Sequence, residues 1–218
     1  VVAQALQGPS SADSRTGYAA YIDVDSFVNY YIIEELVKDI DGNLRKSSFL
    51  TKEKGKKLEM YHVWDFDLTL GNCNYFPDFG SDNSYKGFYI KDFGYDGYGT
   101  GWYWWLFQDP AFKARVKAQA LMEIISGRDE VYIMGHRNSD EDAFGAAVGM
   151  YRIVRNMDKP AHIVLDGISS SLAPLVDLYK SMPEYEEDAI VSGMHALDWV
   201  GSNAALIVVD VNRPSITE

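Results

Sequence analysis

The stretch that decides the fold is DEVYIMGHRNSDEDAFGAAVGMYRIVRNM, residues 129–157. It opens with an apolar run, Val131-Tyr132-Ile133-Met134, too short for a helix and suited to a strand buried on both faces. It closes on AFGAAVGMYRIVRNM, whose apolar positions recur at helical spacing. Between them the loop GHRNSDEDAFG (135–145) holds one imidazole and three carboxylates: His136, Asp140, Glu141 and Asp142. Downstream the pattern repeats: AHIVLD (161–166) reads as a strand and SSSLAPLVDLYKSM (169–182) as a helix. DAIVSGMHALDWV (188–200) reads as a further helical stretch and AALIVVD (204–210) as a last strand. Apolar strands alternating with helices predict an α/β half, with a parallel sheet flanked by helices.

In such sheets, ligand sites gather beyond the carboxyl ends of the strands. His136 closes one strand end and Asp210 another, and Asp140 and Asp142 lie in the loop leaving the first. One imidazole with several carboxylates suits Mn2+, Fe2+ or Zn2+, and enough carboxylates can hold two such ions. A pair of ions bridged by one carboxylate is suited to phosphoester hydrolysis. The same spacing is met equally well by a helix cap at Ser139 or Asp142, with His136 bonded to backbone.

The N-terminal half has a different texture. VDSFVNYYIIEELVKD (24–39) reads as a helix capped by Asp25 or Ser26, with Phe27, Tyr30, Tyr31, Glu34 and Val37 on one face. SSFLTKE, a turn at Lys54-Gly55 and KLEMYHVWDFDLTLG predict a hairpin whose second strand ends at Asp65 and Asp67, both on one face. Residues 71–101 are rich in Gly, Tyr, Asp and Asn and predict a long irregular loop, the least ordered part of the chain. GWYWWLFQDPAFKARVKAQALMEIIS (101–126) runs from an aromatic segment into a helix starting near Pro110.

The chain of 218 residues carries 20 basic and 32 acidic residues, a net charge of −12, which argues against binding double-stranded nucleic acid through its phosphates. One cysteine, Cys73, excludes an internal disulfide framework and a multi-cysteine zinc site. No apolar run reaches the length of a membrane span, and the N-terminus lacks the layout of a signal peptide, so a reducing, cytoplasmic setting is expected. The absence of an initial Met reads as a fragment.

Two family resemblances sharpen this. VYIMGHRNSDEDAFGAAVGMYRIV together with ALIVVDVNRPSITE resembles the DHH phosphoesterase superfamily, and within it the GdpP-type cyclic-di-AMP phosphodiesterases. The resemblance covers about residues 113–218. It implies that His136 and Asp140 bind one manganese ion, that Asp142 binds a second, and that Asp210 bridges both. Glu141 is the unliganded spacer. The family's Asp-His-His triplet falls beyond Glu218, so the sequence reads as half of a dinuclear site, with hydrolysis of a cyclic dinucleotide or small phosphoester expected to be weak or absent.

YIDVDSFVNYYIIEELVKDIDG, then WDFDLTLGN, then GWYWWLFQDPAF, resembles the CotH-type spore-coat protein kinases over about residues 18–118. That resemblance implies Mg2+ held by Asp65 with Asp67, and Asp41 serving the acceptor hydroxyl. Asp39 stands where many relatives have Asn. Residues 1–17 offer no Gly-rich loop, Walker pattern or ATP-gripping lysine, so kinase activity is not expected of this chain.

The two resemblances meet in DPAFKARVKAQAL (109–121), which reads as a fusion of two bacterial fragments, an α+β kinase-like piece at 1–117 and a DHH-like piece at 118–218. Three functions follow, in order of expectation: a metal-dependent phosphodiesterase fragment, a kinase fragment with a spore-coat setting, and a non-catalytic fusion that binds metal.

Overall fold

The structure is a computed structural model; it describes residues 1–39, 41–44, 46–70, 88–94, 97–98 and 101–211. The expectation for residues 71–101 falls largely outside the described residues. The chain divides into two compact units, Val1–Ala120 and Leu121–Glu218.

The first unit combines helices with two short antiparallel hairpins. Its elements are α1 (Val2–Gln7), α2 (Val24–Val37), β1 (Leu50–Thr51), β2 (Glu59–Met60), α3 (Tyr89–Asp92), β3 (Phe93–Gly94), β4 (Gly97–Tyr98), α4 (Trp102–Leu106) and α5 (Pro110–Ser126), within which the division falls. The cap of α2 is Asp23, which accepts from the Ser26 amide at 2.8 Å, two residues earlier than the sequence pattern places it. Ser26 completes the turn by donating its hydroxyl to the Asp23 carbonyl. Phe27, Val28, Tyr30, Tyr31 and Glu34 are buried along α2, and Phe27, Tyr103, Leu106 and Phe112 form the centre of the core. The Tyr103 hydroxyl, buried in that core, donates to the Phe27 carbonyl at 2.9 Å, giving its polar end a partner. α5 begins at Pro110, where a missing N–H costs nothing, and Asp109 accepts from the Ala111 amide.

β1 and β2 form the expected hairpin, with Leu50 opposite Met60 and Gly55 at φ +83° in the turn. The second strand, however, stops at Met60. Residues 62–65 are exposed and form no ladder, and Asp65 has left-handed backbone (φ 67°) before a 3-10 turn, Phe66–Leu68. Asp65 and Asp67 are therefore not two residues of one strand face. Without a neighbouring strand to satisfy its backbone, the segment turns instead of extending.

The second unit is an α/β layer structure: β5 (Glu130–Met134), α6 (Glu141–Arg155), β6 (Ala161–Val164), α7 (Ala173–Lys180), β7 (Ile190–Val191), α8 (Gly193–Trp199) and β8 (Ala204–Val208). Among the described residues its sheet has four strands, all parallel, in the order β7-β6-β5-β8. The sequence pattern merges β7 and α8 into one helical stretch. Ile190 and Val191 instead pair with Ile163 and Val164, and Ser192 caps α8 by accepting from the His195 amide. Val131, Ile133, Ala161 and Ile163 are buried in the sheet, and Phe144, Ala147, Tyr151 and Val154 cover it from α6 at three- and four-residue spacing. Among the described residues β8 is an edge strand, and Leu206 and Val208 on it are exposed.

The strand order positions the site. From β5 the chain steps outward to β6 and β7, then returns to the opposite side of β5 to place β8. The carboxyl ends of β5 and β8 therefore flank the point where the winding reverses, which is where open α/β sheets form a crevice.

Candidate metal centre

His136 follows β5 by two residues and Asp210 follows β8 by two, and β5 pairs with β8 in register from Glu130–Ala204 to Met134–Val208. The ladder continues one bond further, from the Val209 amide to the Met134 carbonyl at 2.9 Å. This pairing brings the two side chains to one edge. The His136 Nε2 atom lies 3.6 Å from Asp210 Oδ2 and 3.6 Å from Asp140 Oδ2. Asp210 has left-handed backbone (φ 53°), a conformation that aspartate tolerates better than most residues and that redirects the chain as it leaves the strand.

Asp140 has two jobs. Its Oδ1 accepts from the Ala143 amide at 3.0 Å and caps α6, while its Oδ2 faces His136. The alternative caps, Ser139 and Asp142, are not used; the Ser139 hydroxyl donates to the His136 carbonyl instead. The Ala143 amide above all, with the His136 ring adding to it, lowers the Asp140 pKa below the usual carboxylate value and keeps it anionic. Gly135 permits the close approach of strand end and helix start. A Cβ there would sit 2.9 Å from the Ala143 Cβ, too near for any real side chain.

Among the described residues, His136, Asp140 and Asp210 are the group of three such side chains whose ligand atoms all lie within 4.8 Å of one another. Two donors each about 2.1 Å from one ion lie roughly 3 to 4 Å apart, so the 3.6 Å separations fit a shared divalent cation better than a direct hydrogen bond. One nitrogen and two oxygens suit a first-row transition ion. The His136, Asp140 and Asp210 side chains are 20%, 60% and 46% exposed, so the centre is open on one side to a substrate. Asp142 lies exposed in the first turn of α6, outside this group, and Glu141 is exposed beside it.

Among the described residues, the acidic side chains of the first unit form no such group of three. Asp65 is exposed and accepts from the Ser47 hydroxyl at 3.0 Å. Asp41 is largely covered and lies 4.0 Å from the Lys46 ammonium, and Asp67 is exposed in the 3-10 turn. Deeper in, the chain buries a pair that no motif announces. Glu34 and Asp39 are both fully buried, and both Glu34 oxygens and Asp39 Oδ2 have no hydrogen-bond partner. The two carboxyls meet above Gly42, where any Cβ would collide with both. Burial above all raises the pKa of each, and the adjacent Asp39 carboxylate, which favours a proton on Glu34, raises that of Glu34 further. Glu34 falls on the apolar side of α2 in the sequence, which is the one signal that could have drawn attention to it.

With this geometry in place, comparison with known proteins gives two matches. Residues 2–128 match the family model for CotH kinase protein, and residues 130–218 match that for the DHH family, N-terminal domain. Over 109 residues the chain is 36% identical to the cyclic-di-AMP phosphodiesterase PdeA of Listeria monocytogenes, and over 106 residues it is 35% identical to the cyclic-di-AMP phosphodiesterase GdpP of Geobacillus thermodenitrificans. Each match takes in 48% of this chain and 16% of the relative. A membrane protein–large ribosomal subunit bL9 fusion protein of onion yellows phytoplasma is 26% identical over 113 residues, 47% of this chain and 13% of that protein. The chain thus spans about one sixth of the length of the curated relatives it matches. Among the described residues no helix is long and apolar enough to cross a membrane.

Proposed function

We infer function from this premise: the chain belongs to the CotH kinase protein family, through residues 2–128, and its residues 130–218 match the N-terminal domain of the DHH family. We propose that the second part sets the chemistry. In this reading it is the metal-holding portion of a cyclic-dinucleotide phosphodiesterase, with cyclic-di-AMP as the substrate named for the relatives. The convergence of His136, Asp140 and Asp210 at the reversal point of the sheet carries the reading. These three residues hold one Mn2+, and Asp142, from the first turn of α6, serves a second. A divalent cation held there supplies charge neutralisation at a phosphodiester and acidifies water for attack. The protein's part is to fix the ligands: β5 and β8 set His136 and Asp210, and the cap of α6 aims Asp140. Four ligands, His136, Asp140, Asp142 and Asp210, are few for two ions, so this chain by itself turns substrate over slowly. We place the functional boundary at 117/118 and the action in the cytoplasm, where a soluble nucleotide would meet the open centre.

The test is calorimetric titration of Mn2+ into the purified chain, followed by incubation with cyclic-di-AMP. Saturable binding that Asp210→Ala removes supports the reading; binding unaffected by that substitution overturns it. A second reading rests on the family match of residues 2–128: phosphoryl transfer to a protein, with Asp65 and Asp67 holding Mg2+ and Asp41 serving the acceptor hydroxyl. ATP-dependent phosphorylation lost in Asp65→Ala would establish it, and would move the setting toward a spore coat. A chain that binds Mn2+ yet turns over neither substrate would be a non-catalytic metal-binding fusion.

A further inference from the structure

A cavity of about 390 Å3 opens in the first unit, lined by none of the acidic residues discussed above as ligands. Its walls are Tyr31 from α2, Phe88, Trp104 from α4, Phe107 and Val116 from α5. Tyr31 and Phe107 pack directly against each other, ring centroids 4.7 Å apart at 54°, and form one continuous aromatic wall on which a flat group can lie. The size lies within the range of small-molecule pockets, which are largely apolar with a few placed polar groups.

Three polar features set its chemistry. Lys113 and Lys117 line it from successive turns of α5, and among the described residues neither has an ion-pair partner. Like charges one turn apart on a helix repel, and in a chain of net charge −12 carboxylates to relieve them are plentiful elsewhere. Lys91, also lining the cavity, is already occupied, 3.1 Å from Asp92 and 4.8 Å from the Phe88 ring centre. The third feature is the Tyr31 hydroxyl: Tyr31 is 3% exposed and its Oη has no hydrogen-bond partner. A buried hydroxyl without a partner keeps its desolvation cost uncompensated, and a ligand oxygen in the cavity would supply the partner.

We propose that this cavity binds a small planar aromatic molecule carrying one anionic group, a carboxylate or phosphate. The ring lies among Tyr31, Trp104 and Phe107, the anion sits at the mouth between Lys113 and Lys117, and the Tyr31 hydroxyl donates to a ligand oxygen. The site is separate from the metal centre and does not depend on the reading of that centre.

Isothermal titration of the full chain with naphthalene-2-carboxylate and with the neutral naphthalene-2-methanol tests it. The carboxylate should bind at least tenfold tighter than the alcohol, and raising the salt from 0.05 M to 0.5 M should narrow the gap. In the double variant Lys113→Gln/Lys117→Gln, both changes being on exposed side chains that leave the core intact, the carboxylate should fall to the affinity of the alcohol. Tyr31→Phe should weaken the carboxylate severalfold while circular dichroism stays unchanged. Equal binding of the two probes, selectivity surviving in the double variant, or binding of neither probe would each overturn the proposal.

Discussion

Asp210 and Glu141 are both exposed acids near one sheet edge, and geometry alone separates them: Asp210 Oδ2 is 3.6 Å from His136 Nε2, while Glu141 lies outside the ligand group. Asp210→Ala should therefore weaken Mn2+ binding tenfold or more, and Glu141→Ala less than twofold; equal losses in calorimetry would reject the ligand assignment. Glu34 makes a different prediction. Its carboxyl is fully buried against Asp39, with Tyr30 and the more distant Asp41 and Asp65 adding no positive charge. Its pKa in the folded chain is thus pushed up to about 8 from 4.5. The folded state keeps a proton that the unfolded state releases, so stability is fully present below about pH 4.5 and is lost as pH rises towards 8. The loss is at most about 1.4 kcal/mol per pH unit for one proton. Glu34→Gln, which keeps the shape and removes the titration, should flatten this slope between pH 5 and 8 in urea unfolding. An unchanged slope would show that another group carries it.

At the scale of elements, the link between local structure and chemistry is Asp140, at once the cap of α6 and a candidate ligand. Asp140→Asn keeps an acceptor for the Ala143 amide but removes the charge facing His136. It should cost little stability and at least tenfold in Mn2+ affinity. Asp140→Ala should lose the same affinity and about 1 kcal/mol of stability in addition, and a stability loss as large for Asn would contradict the division of labour between the two oxygens. The same element shows what the sequence could announce. Phe144, Ala147, Tyr151 and Val154 recur at helical spacing, so α6 was legible from periodicity, and Val131 and Ile133 made β5 legible from an unbroken apolar run. β7 was not legible because two residues, Ile190 and Val191, have no period; only pairing with β6 makes them a strand. Asp65 misled for a related reason: alternation of Asp with Trp and Phe resembles a strand, but after the bond from the Tyr61 amide to the Phe49 carbonyl the ladder stops and residues 62–65 form no strand. Of the metal centre, the residue types in one loop were legible. The 3.6 Å approach of Asp210, about seventy residues on, depends on the placement of β8 beside β5, which is a property of the sheet.

At the scale of the whole chain, two hydrophobic clusters serve two units. One is centred on Phe27, Tyr103 and Phe112, the other on Val131, Ile133 and Ile163, and the proposed Mn2+ ligands all belong to the second. Each unit closes its own core, so thermal unfolding should resolve into two transitions. Ile133→Ala empties a fully buried site in the second sheet and should cost about 2–5 kcal/mol there, lowering one transition and leaving the other in place. Phe112→Ala should do the converse. The ion then provides the decisive probe, because a ligand stabilises only the unit that binds it. At a hundredfold excess over its dissociation constant, Mn2+ should add about 2.7 kcal/mol, raising the transition that Ile133→Ala lowers. In Asp210→Ala that rise should vanish while both transitions stay at their metal-free temperatures. Differential scanning calorimetry of the four proteins with and without Mn2+ reads all of this in one series. If Mn2+ instead raised the transition that Phe112→Ala lowers, the ion would belong to the acidic residues around Asp41, Asp65 and Asp67, and the kinase-type reading would take precedence.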